Sequence, residues 1–343
     1  TVTVNPLPVV TVNSPAICTG QTATLTAGGA NSYLWSNSSI SNPITVAPTS
    51  TTTYTVTGTN TVNACSNSAI ATVTVNPLPV VTVNSATICV GQQASITANG
   101  ADNYLWSTGS ISNIISVSPT TTTTYTVTGT YSTTGCSRSV TSTVTVNPLP
   151  SLIVNSSTIC IGQTATLNVS GADSYLWSNG AISNSVNVNP TSTTTYTVTG
   201  TYTATGCSSS TMTTVVVNLL PVVTVNSPTI CVGQQASLTA NGANTYSWST
   251  GSSGSSINVS LTMTTTYTVV GTNTNDGCSN SATSTVAVNS LPVVSANSTT
   301  ICAGQAATLT ANGSDSYFWS TGQTMNPLTV NPTTTTTYTV TGT

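Results

Sequence analysis

The sequence predicts an all-β protein built of tandem β-sandwich domains, arranged as an extended rod. The stretch Thr51–Gly58, TTTYTVTG, returns every 71 residues, so one unit is written about five times. Each repeat contains six or seven short runs rich in Val, Ile, Thr, Tyr and Trp, without a helical period. The order Cys, Trp, Cys recurs in each full repeat and indicates an Ig-like Greek-key sandwich.

The seams between repeats are short and rich in proline. Asn76–Pro79, NPLP, has a counterpart at each repeat boundary, and proline lacks the N–H that a sheet ladder needs. We therefore expect short, stiff joints. The predicted domains are 1–5 as the final strand of a preceding repeat, 6–75, 76–146, 147–217, 218–288, and 289–343 as a fifth repeat truncated before its last strand. Both ends fall inside a repeat, which indicates a window cut from a longer protein.

The first half of repeat 1 predicts three strands separated by turns. Val9–Val12 alternates and reads as a short opening strand, and Asn13–Gly20 has the composition of a turn. Thr22–Ala27 places alanine and leucine on one face and threonine on the other, as a half-buried strand does. Ser32–Ser36 is the third strand. Its Leu34 position holds Ser in repeat 4, so we expect that face of the strand to be exposed to solvent.

The second half of repeat 1 predicts three more strands. Ile44–Val46 is brief and ends before a proline, and Thr52–Thr59 is the longest, with Tyr54 and Val56 facing inward. Asn60–Ala64 forms a loop, and Ala71–Val75 closes the domain.

Composition excludes several classes of function. A net charge of −3 gives no basic surface for nucleic acid and no polybasic patch for a membrane, and no transmembrane stretch is visible. The scattered aspartates are too few for a calcium site or a glycosidase pair, and without His or Lys no serine has a base. We therefore expect no catalytic residue, no metal, no cofactor and no enzyme activity. The charged side chains are Asp102, Asp173, Asp276, Asp315 and Arg138.

The cysteines alternate at spacings of 47 and 24 residues. One pair per repeat, without CxxC or His, predicts a disulfide framework and an oxidising, extracellular compartment. In an Ig-like topology, the two cysteines of a repeat lie at opposite ends of the sandwich. This favours bonds between repeats, Cys18–Cys136, Cys89–Cys207 and Cys160–Cys278, over the ordinary alternative Cys18–Cys65. The candidates are Cys18, Cys65, Cys89, Cys136, Cys160, Cys207, Cys231, Cys278 and Cys302.

Two of the aromatic positions that recur in every repeat are candidate core positions. The tryptophans predict a core position on the third strand, where sandwiches bury one, although such residues can also stack on sugars. The tyrosines predict packing at the entry of the longest strand. These residues are Trp35, Trp106, Trp177, Trp248, Trp319, Tyr54, Tyr125, Tyr196, Tyr267 and Tyr338.

The string ICxGQxATLTAxG at Ile17–Gly29, followed by YLWS and PTxTTTYTVTGT, resembles the tandem Ig-like and PKD-like repeats of giant bacterial cell-surface adhesins. The resemblance covers the whole chain. Such proteins belong to gliding, polysaccharide-degrading bacteria and are often exported by type IX secretion. The resemblance implies a place in an adhesin stalk.

Two functions follow as hypotheses. One is a stiff, disulfide-braced spacer or extracellular fibre, whose partners are neighbouring repeats of the same or identical chains by self-assembly. The other is a multivalent array that binds polysaccharide weakly at each repeat, with the loop Asn37–Asn42 as its best candidate site. Glycans attached to the hydroxyl-rich surface are a further partner, and near-identical repeats would also permit strand exchange between chains.

Overall fold

The computed structural model describes the whole chain, Thr1–Thr343, as 35 β-strands without a helix. The all-β, tandem Ig-like class that the sequence predicts is confirmed. By its contacts the chain divides into two compact units. One consists of Thr1–Ile153, Val169–Asn184 and Thr197–Thr211, and the other of Val154–Asn168, Ser185–Tyr196 and Met212–Thr343.

The strands recur with the repeat. In repeat 1 they are β1 Thr11–Val12, β2 Ala16–Cys18, β3 Ala23–Leu25, β4 Ala27–Gly28, β5 Ser32–Trp35, β6 Ile44–Val46, β7 Thr52–Thr59 and β8 Ser66–Asn76. In repeat 2 they are β9 Thr82–Val83, β10 Ala86–Cys89, β11 Ala94–Asn99, β12 Asn103–Trp106, β13 Ile114–Val117, β14 Thr123–Thr130 and β15 Ser137–Asn147. In repeat 3 they are β16 Ile153–Val154, β17 Ser157–Cys160, β18 Ala165–Ser170, β19 Ser174–Trp177, β20 Ser185–Val188, β21 Thr194–Thr201 and β22 Ser208–Asn218.

The last two repeats continue the series. In repeat 4 the strands are β23 Thr224–Val225, β24 Thr229–Cys231, β25 Gln235–Asn241, β26 Thr245–Trp248, β27 Ser256–Ser260, β28 Thr265–Thr272 and β29 Ser279–Asn289. In repeat 5 they are β30 Ser295–Ala296, β31 Ala307–Leu309, β32 Ala311–Asn312, β33 Tyr317–Trp319, β34 Leu328–Val330 and β35 Val340–Gly342.

Repeats 1, 2 and 4 are each a two-sheet sandwich. In repeat 1 one sheet has the order β2-β8-β7-β5, and β1–β4 and β3–β6 pair on the other side of the core. β2 runs parallel to β8, while β7 is antiparallel to both β8 and β5. Repeats 2 and 4 have the same order, β10-β15-β14-β12 with β13-β11-β9 and β24-β29-β28-β26 with β23-β25-β27.

The core of each sandwich is built by alternation. In repeat 1, Leu25 and Ala23 from one sheet pack with Trp35, Val56 and Val73 from the other, while threonines point outward between them. This alternation arises because successive side chains of a β-strand point to opposite faces of the sheet. Repeat 2 has an equivalent cluster around Ile96, Trp106 and Val127.

The structure differs from the sequence prediction in four elements of repeat 1. The turn predicted before the second strand contains a strand, β2, because Ala16–Cys18 pairs with the end of β8. The closing strand begins five residues earlier than predicted, at Ser66, because polar residues continue the ladder with β7. The opening strand is only Thr11–Val12, and Thr26 interrupts the second strand. Residues 1–5, predicted as a final strand, form no strand and have no partner strand in this chain.

Candidate functional site: the disulfide-linked joints between repeats

Three disulfides connect neighbouring repeats. The structure pairs Cys18 with Cys136, Cys89 with Cys207 and Cys160 with Cys278, with Cα–Cα distances of 5.6 Å in all three. Each bond joins the first cysteine of one repeat to the second cysteine of the next, 118 residues later. Each also lies within one compact unit. The bonds are therefore between repeats, and Cys65, Cys231 and Cys302 remain free thiols.

The first cysteine of each repeat is placed by the parallel strand pair. Cys18 lies opposite Asn76, the last residue of β8, and the N–H of Thr19 donates to the carbonyl oxygen of Asn76 at 2.9 Å. Cys65 precedes the first residue of the same eleven-residue strand. At about 3.3 Å per residue, Cys18 and Cys65 are about 35 Å apart along it. A bond within the repeat would need these Cα atoms within about 7 Å, which the parallel register forbids.

A glutamine holds the turn that follows the first cysteine. The side-chain Oε1 of Gln21 accepts from the N–H of Cys18 at 3.0 Å, and the N–H of Gln21 donates to the carbonyl oxygen of Cys18 at 2.9 Å. Gly20 between them has a φ of 86°, a conformation that favours glycine. The same two bonds form at Gln92, Gln163, Gln234 and Gln305.

Sequence reasoning assigned no role to these glutamines. The signal that finds them is the dipeptide Gly-Gln two residues after every first cysteine, from Gly20-Gln21 to Gly304-Gln305. A glutamine that recurs in all five repeats, beside a recurring cysteine, indicates a side chain that fixes the cysteine loop. Its bond to the backbone N–H of the cysteine holds the loop that carries the sulfur atom.

The second cysteine is buried in the loop before the last strand. Cys136, Cys207 and Cys278 are fully buried. In repeat 2 the N–H of Tyr131 donates to the carbonyl oxygen of Cys136 at 3.0 Å, and the N–H of Gly135 donates to that of Tyr131 at 2.9 Å. In repeat 4, Oδ1 of Asp276 accepts from the N–H of Cys278 at 2.9 Å. The loop thus presents its sulfur atom in a fixed direction.

The seam is held against the same loop. Two residues after the second cysteine, Asn67 donates through Nδ2 to the carbonyl oxygen of Pro8 at 3.1 Å, and Asn280 makes the same bond to Pro221. Gly29 lies under this seam, since a Cβ there would be 1.8 Å from the carbonyl oxygen of Val9. The proline seam, the last strand and the second cysteine therefore form one local structure in repeats 1 and 4.

The recurring aromatic residues serve the core. Trp35, Trp106, Trp177, Trp248 and Trp319 are 1–3% exposed, and Nε1 of Trp35 donates to the carbonyl oxygen of Ser41 at 3.0 Å. None of them presents a face on which a sugar could stack. The tyrosines of β7 and its counterparts are less enclosed: Tyr267 is buried, and Tyr54, Tyr125, Tyr196 and Tyr338 are partly buried. The prediction that Thr52–Thr59 is the longest strand is wrong, since β7 has eight residues and β8 has eleven.

The Leu34 position, predicted to face solvent, is exposed. Leu34, Leu105, Leu176 and Phe318 are 53–56% exposed, and Ser247 stands at the same place in repeat 4. The one aromatic residue of this series is Phe318, so no exposed aromatic recurs from repeat to repeat.

Three of the four carboxylates accept hydrogen bonds from the backbone. Oδ2 of Asp102 accepts from the N–H of Ser132 at 2.9 Å and from its hydroxyl at 3.0 Å, and Asp173 accepts likewise from Thr203. No three His, Cys, Asp or Glu side chains come together as metal ligands would. None of the chain's segments is a helix of the length and hydrophobicity that a membrane crossing requires.

Comparison with known proteins finds similarity in architecture alone. No protein-family model and no curated protein matches the chain. Among solved structures, the N-terminal eight Ig domains of Down Syndrome Cell Adhesion Molecule match at 13% identity and a TM-score of 0.24, over 94% of this chain and 62% of that one. An I-band fragment of titin matches at 13% identity and a TM-score of 0.32, over 62% of this chain and 98% of that one. The N-terminal four Ig domains of Dscam1 isoform 6.9 match at 12% identity and a TM-score of 0.21, over 83% and 100%.

Proposed function

We propose that this chain is a structural segment of an extracellular filament or of the stalk of a cell-surface adhesin, where it acts as a stiff spacer without enzyme activity. The observation that carries the proposal is the disulfide across successive joints, which repeats with one geometry and one separation of 118 residues. A covalent bond beside a proline seam restrains bending at that joint, because two points of attachment replace one.

The disulfides also support an extracellular place, since such bonds persist in oxidising compartments. Each closes a loop of more than 100 residues, for which the chain-entropy estimate of stabilisation is about 5 kcal/mol. The motifs shared with the repeats of bacterial adhesins favour a bacterial surface and type IX export. The hydroxyl-rich strands favour attached glycans as the cover of a nearly uncharged surface.

A polysaccharide-binding array is the competing function, and the structure offers it little support. The recurring tryptophans are in the core, and the exposed position at Leu34 changes chemistry between repeats. Repeated weak sites would need a repeated ligand-facing side chain.

Single-molecule force spectroscopy tests the spacer function. In the oxidised chain a pull on both ends passes through Cys18–Cys136 and Cys160–Cys278, and each bond bypasses 118 residues. At about 3.4 Å per residue, we expect the reduced chain to extend about 800 Å further. A chain with Cys89→Ser and Cys207→Ser should keep the oxidised length, because its missing bond is off this path.

Equal extension of the oxidised and reduced chains would refute the braced spacer. Retention of the chain by immobilised polysaccharides, lost when the surface of each repeat is altered, would instead establish the array.

A further inference from the structure

Formal charge is concentrated beside the disulfides. The chain has five charged side chains. Four of them lie within two residues of a second cysteine or accept a hydrogen bond from the loop that precedes one. These four are Asp102, Asp173, Asp276 and Arg138. The first, second and third joints are those bonded by Cys18–Cys136, Cys89–Cys207 and Cys160–Cys278, and the four charges make them electrostatically different from one another.

The first joint is the one with a cation. Arg138 is the only basic residue of the chain. It is exposed and follows Cys136 by two residues, near the start of β15. Two residues of an extended strand span about 7 Å, and their side chains point to the same side. The guanidinium group therefore lies about 10 Å or less from the sulfur atoms, which is within the Debye length at 0.1 M salt.

Arg138 also replaces a residue that ties the seam to the last strand. Its counterparts Asn67, Ser209 and Asn280 each donate a side-chain hydrogen bond to the carbonyl oxygen of the proline that ends their seam. Arg138 forms no such bond to Pro79. The first joint thus combines a positive charge with the loss of one hydrogen bond.

The other two joints carry carboxylates alone. Asp102 and Asp173 hold the same position in repeats 2 and 3, and each accepts two hydrogen bonds from the loop before the second cysteine. The first and second joints therefore differ in charge by Arg138. At the third joint, Asp276 accepts from the N–H of Cys278 itself at 2.9 Å. Negative charge thus increases from the first joint to the second and is nearest to the cysteine at the third.

Reduction of a disulfide begins with attack by a thiolate, which is an anion. At the first joint Cys18 is half-buried and Cys136 is fully buried. The sulfur atom of Cys18 is therefore the accessible target, and the thiolate of Cys136 is the leaving group. A cation nearby attracts the attacking thiolate and stabilises the leaving one. A carboxylate in the same place has the opposite effect on both.

We propose that the first joint is a redox-sensitive site for anionic low-molecular-weight thiols, with glutathione as the probe, and that Arg138 makes it the first of the three joints to open. One glutathione thiolate forms a mixed disulfide with Cys18 and releases the thiolate of Cys136. A second attacks the glutathione sulfur atom, releases the thiolate of Cys18 and leaves as oxidised glutathione. Both cysteine thiolates then take a proton from water.

Opening this bond leaves the seam Asn76–Pro79 as the only covalent attachment between repeats 1 and 2. The inference goes beyond the proposed function, because it adds a small-molecule reactant that loosens one chosen joint. Its test is independent of that function, since reduction is measured as a rate in solution and bracing is measured under force.

The experiment compares two reductants on the 343-residue chain. The free thiols Cys65, Cys231 and Cys302 are alkylated first, and timed alkylation with mass spectrometry then gives the reduction rate of each disulfide. Glutathione thiolate carries two negative charges, whereas cysteamine thiolate has no net charge. The ratio of the two rates therefore reports charge, and a general loosening of the joint cancels from it.

We expect this ratio to be about threefold higher at the first joint than at the second in low salt, as unit charges about 10 Å apart in water predict. Arg138→Gln should remove the difference, and Arg138→Lys should keep it. In 1 M salt, where the Debye length is about 3 Å, the difference should disappear.

The third joint supplies the converse variant. Asp276→Asn keeps an oxygen that can accept from the N–H of Cys278 but removes the charge, so we expect the ratio at the third joint to rise about threefold. Asp315→Asn is the matched control. It removes the same charge from repeat 5, which none of the three disulfides reaches, and should change no ratio.

Three results would overturn the proposal. One is an unchanged ratio at the first joint in Arg138→Gln, and another is a difference between joints that persists in 1 M salt. The third is a first joint that opens fastest with both reductants to the same extent, which would assign its lability to the missing seam bond. In each case the braced spacer stands, because the force measurement does not depend on which joint is reduced first.

Discussion

Cys18 lies opposite Asn76 in the parallel pair of β2 and β8. Asn76 also begins the seam to repeat 2, so this register brings the first cysteine of a repeat to the joint and leaves Cys65 at the far end of the strand. We predict that pepsin digestion at low pH, which suppresses thiol exchange, releases a Cys18–Cys136 peptide and no Cys18–Cys65 peptide. A Cys18–Cys65 peptide in the monomer would contradict the register itself.

The fold was predictable because its signals are local and repeated. Alternation of apolar and hydroxyl side chains in Thr52–Thr59 specifies a strand with one buried face, and five copies of it exclude coincidence. Pairing of cysteines between repeats followed from the distance between the two ends of a sandwich. These inferences need no knowledge of contacts between distant residues.

The elements that were not predicted depend on pairing partners that the local sequence does not reveal. Ala16–Cys18 lies within Asn13–Gly20, a segment with the composition of a turn, and it becomes a strand because the end of β8 offers a parallel edge. Ser66–Ile70 is polar at several positions, yet it extends the ladder because β7 lies opposite. The role of Gln21 was missed for the same reason, since the atom it bonds belongs to the backbone of Cys18.

The glutamine turn should protect its disulfide from reduction. In Gln92→Ala the N–H of Cys89 loses its acceptor at 2.9 Å, so the loop opens more easily and the sulfur atoms become more accessible. We expect the free energy of local opening to fall by about 1 kcal/mol, and the rate at which dithiothreitol reduces Cys89–Cys207 to rise about fivefold. Timed alkylation with mass spectrometry measures this rate.

The same molecule supplies the controls. Cys18–Cys136 should keep its rate in this variant, and Gln93→Ala, at the exposed neighbouring position, should leave both rates unchanged. Equal acceleration of the two bonds would mean that the substitution destabilises the repeat as a whole.

Adjacent residues on β12 should differ greatly in their contribution to stability. Trp106 is buried and its Nε1 donates to the carbonyl oxygen of Ser112 at 2.7 Å, whereas Leu105 points to solvent. We expect Trp106→Ala to lower the free energy of unfolding by about 3–5 kcal/mol and Leu105→Ala to change it by less than about 0.5 kcal/mol. Hydrogen exchange of repeat 2 measures both, and a comparable loss from the two variants would refute the assigned faces.

Backbone conformation in repeat 2 separates the expected effects of two glycine substitutions. Gly135 has a φ of 71° with open space around it, whereas Gly100 has a φ of 95° and a Cβ there would lie 2.0 Å from the carbonyl oxygen of Val80. We expect Gly135→Ala to cost about 1–2 kcal/mol from the left-handed conformation alone. Gly100→Ala should cost more, because the seam backbone must also move.

Repeat 1 provides the reverse experiment. Ala64 stands where repeats 2, 3 and 4 have glycine, and it has a φ of 59°. Ala64→Gly relieves that strain, and the added flexibility of the unfolded chain offsets only part of the gain. We therefore expect repeat 1 to gain about 1 kcal/mol, measured by hydrogen exchange beside the unchanged repeat 2. A loss of stability in Ala64→Gly would show that this loop differs from its counterparts, and the effect predicted for Gly135→Ala would then lose its basis.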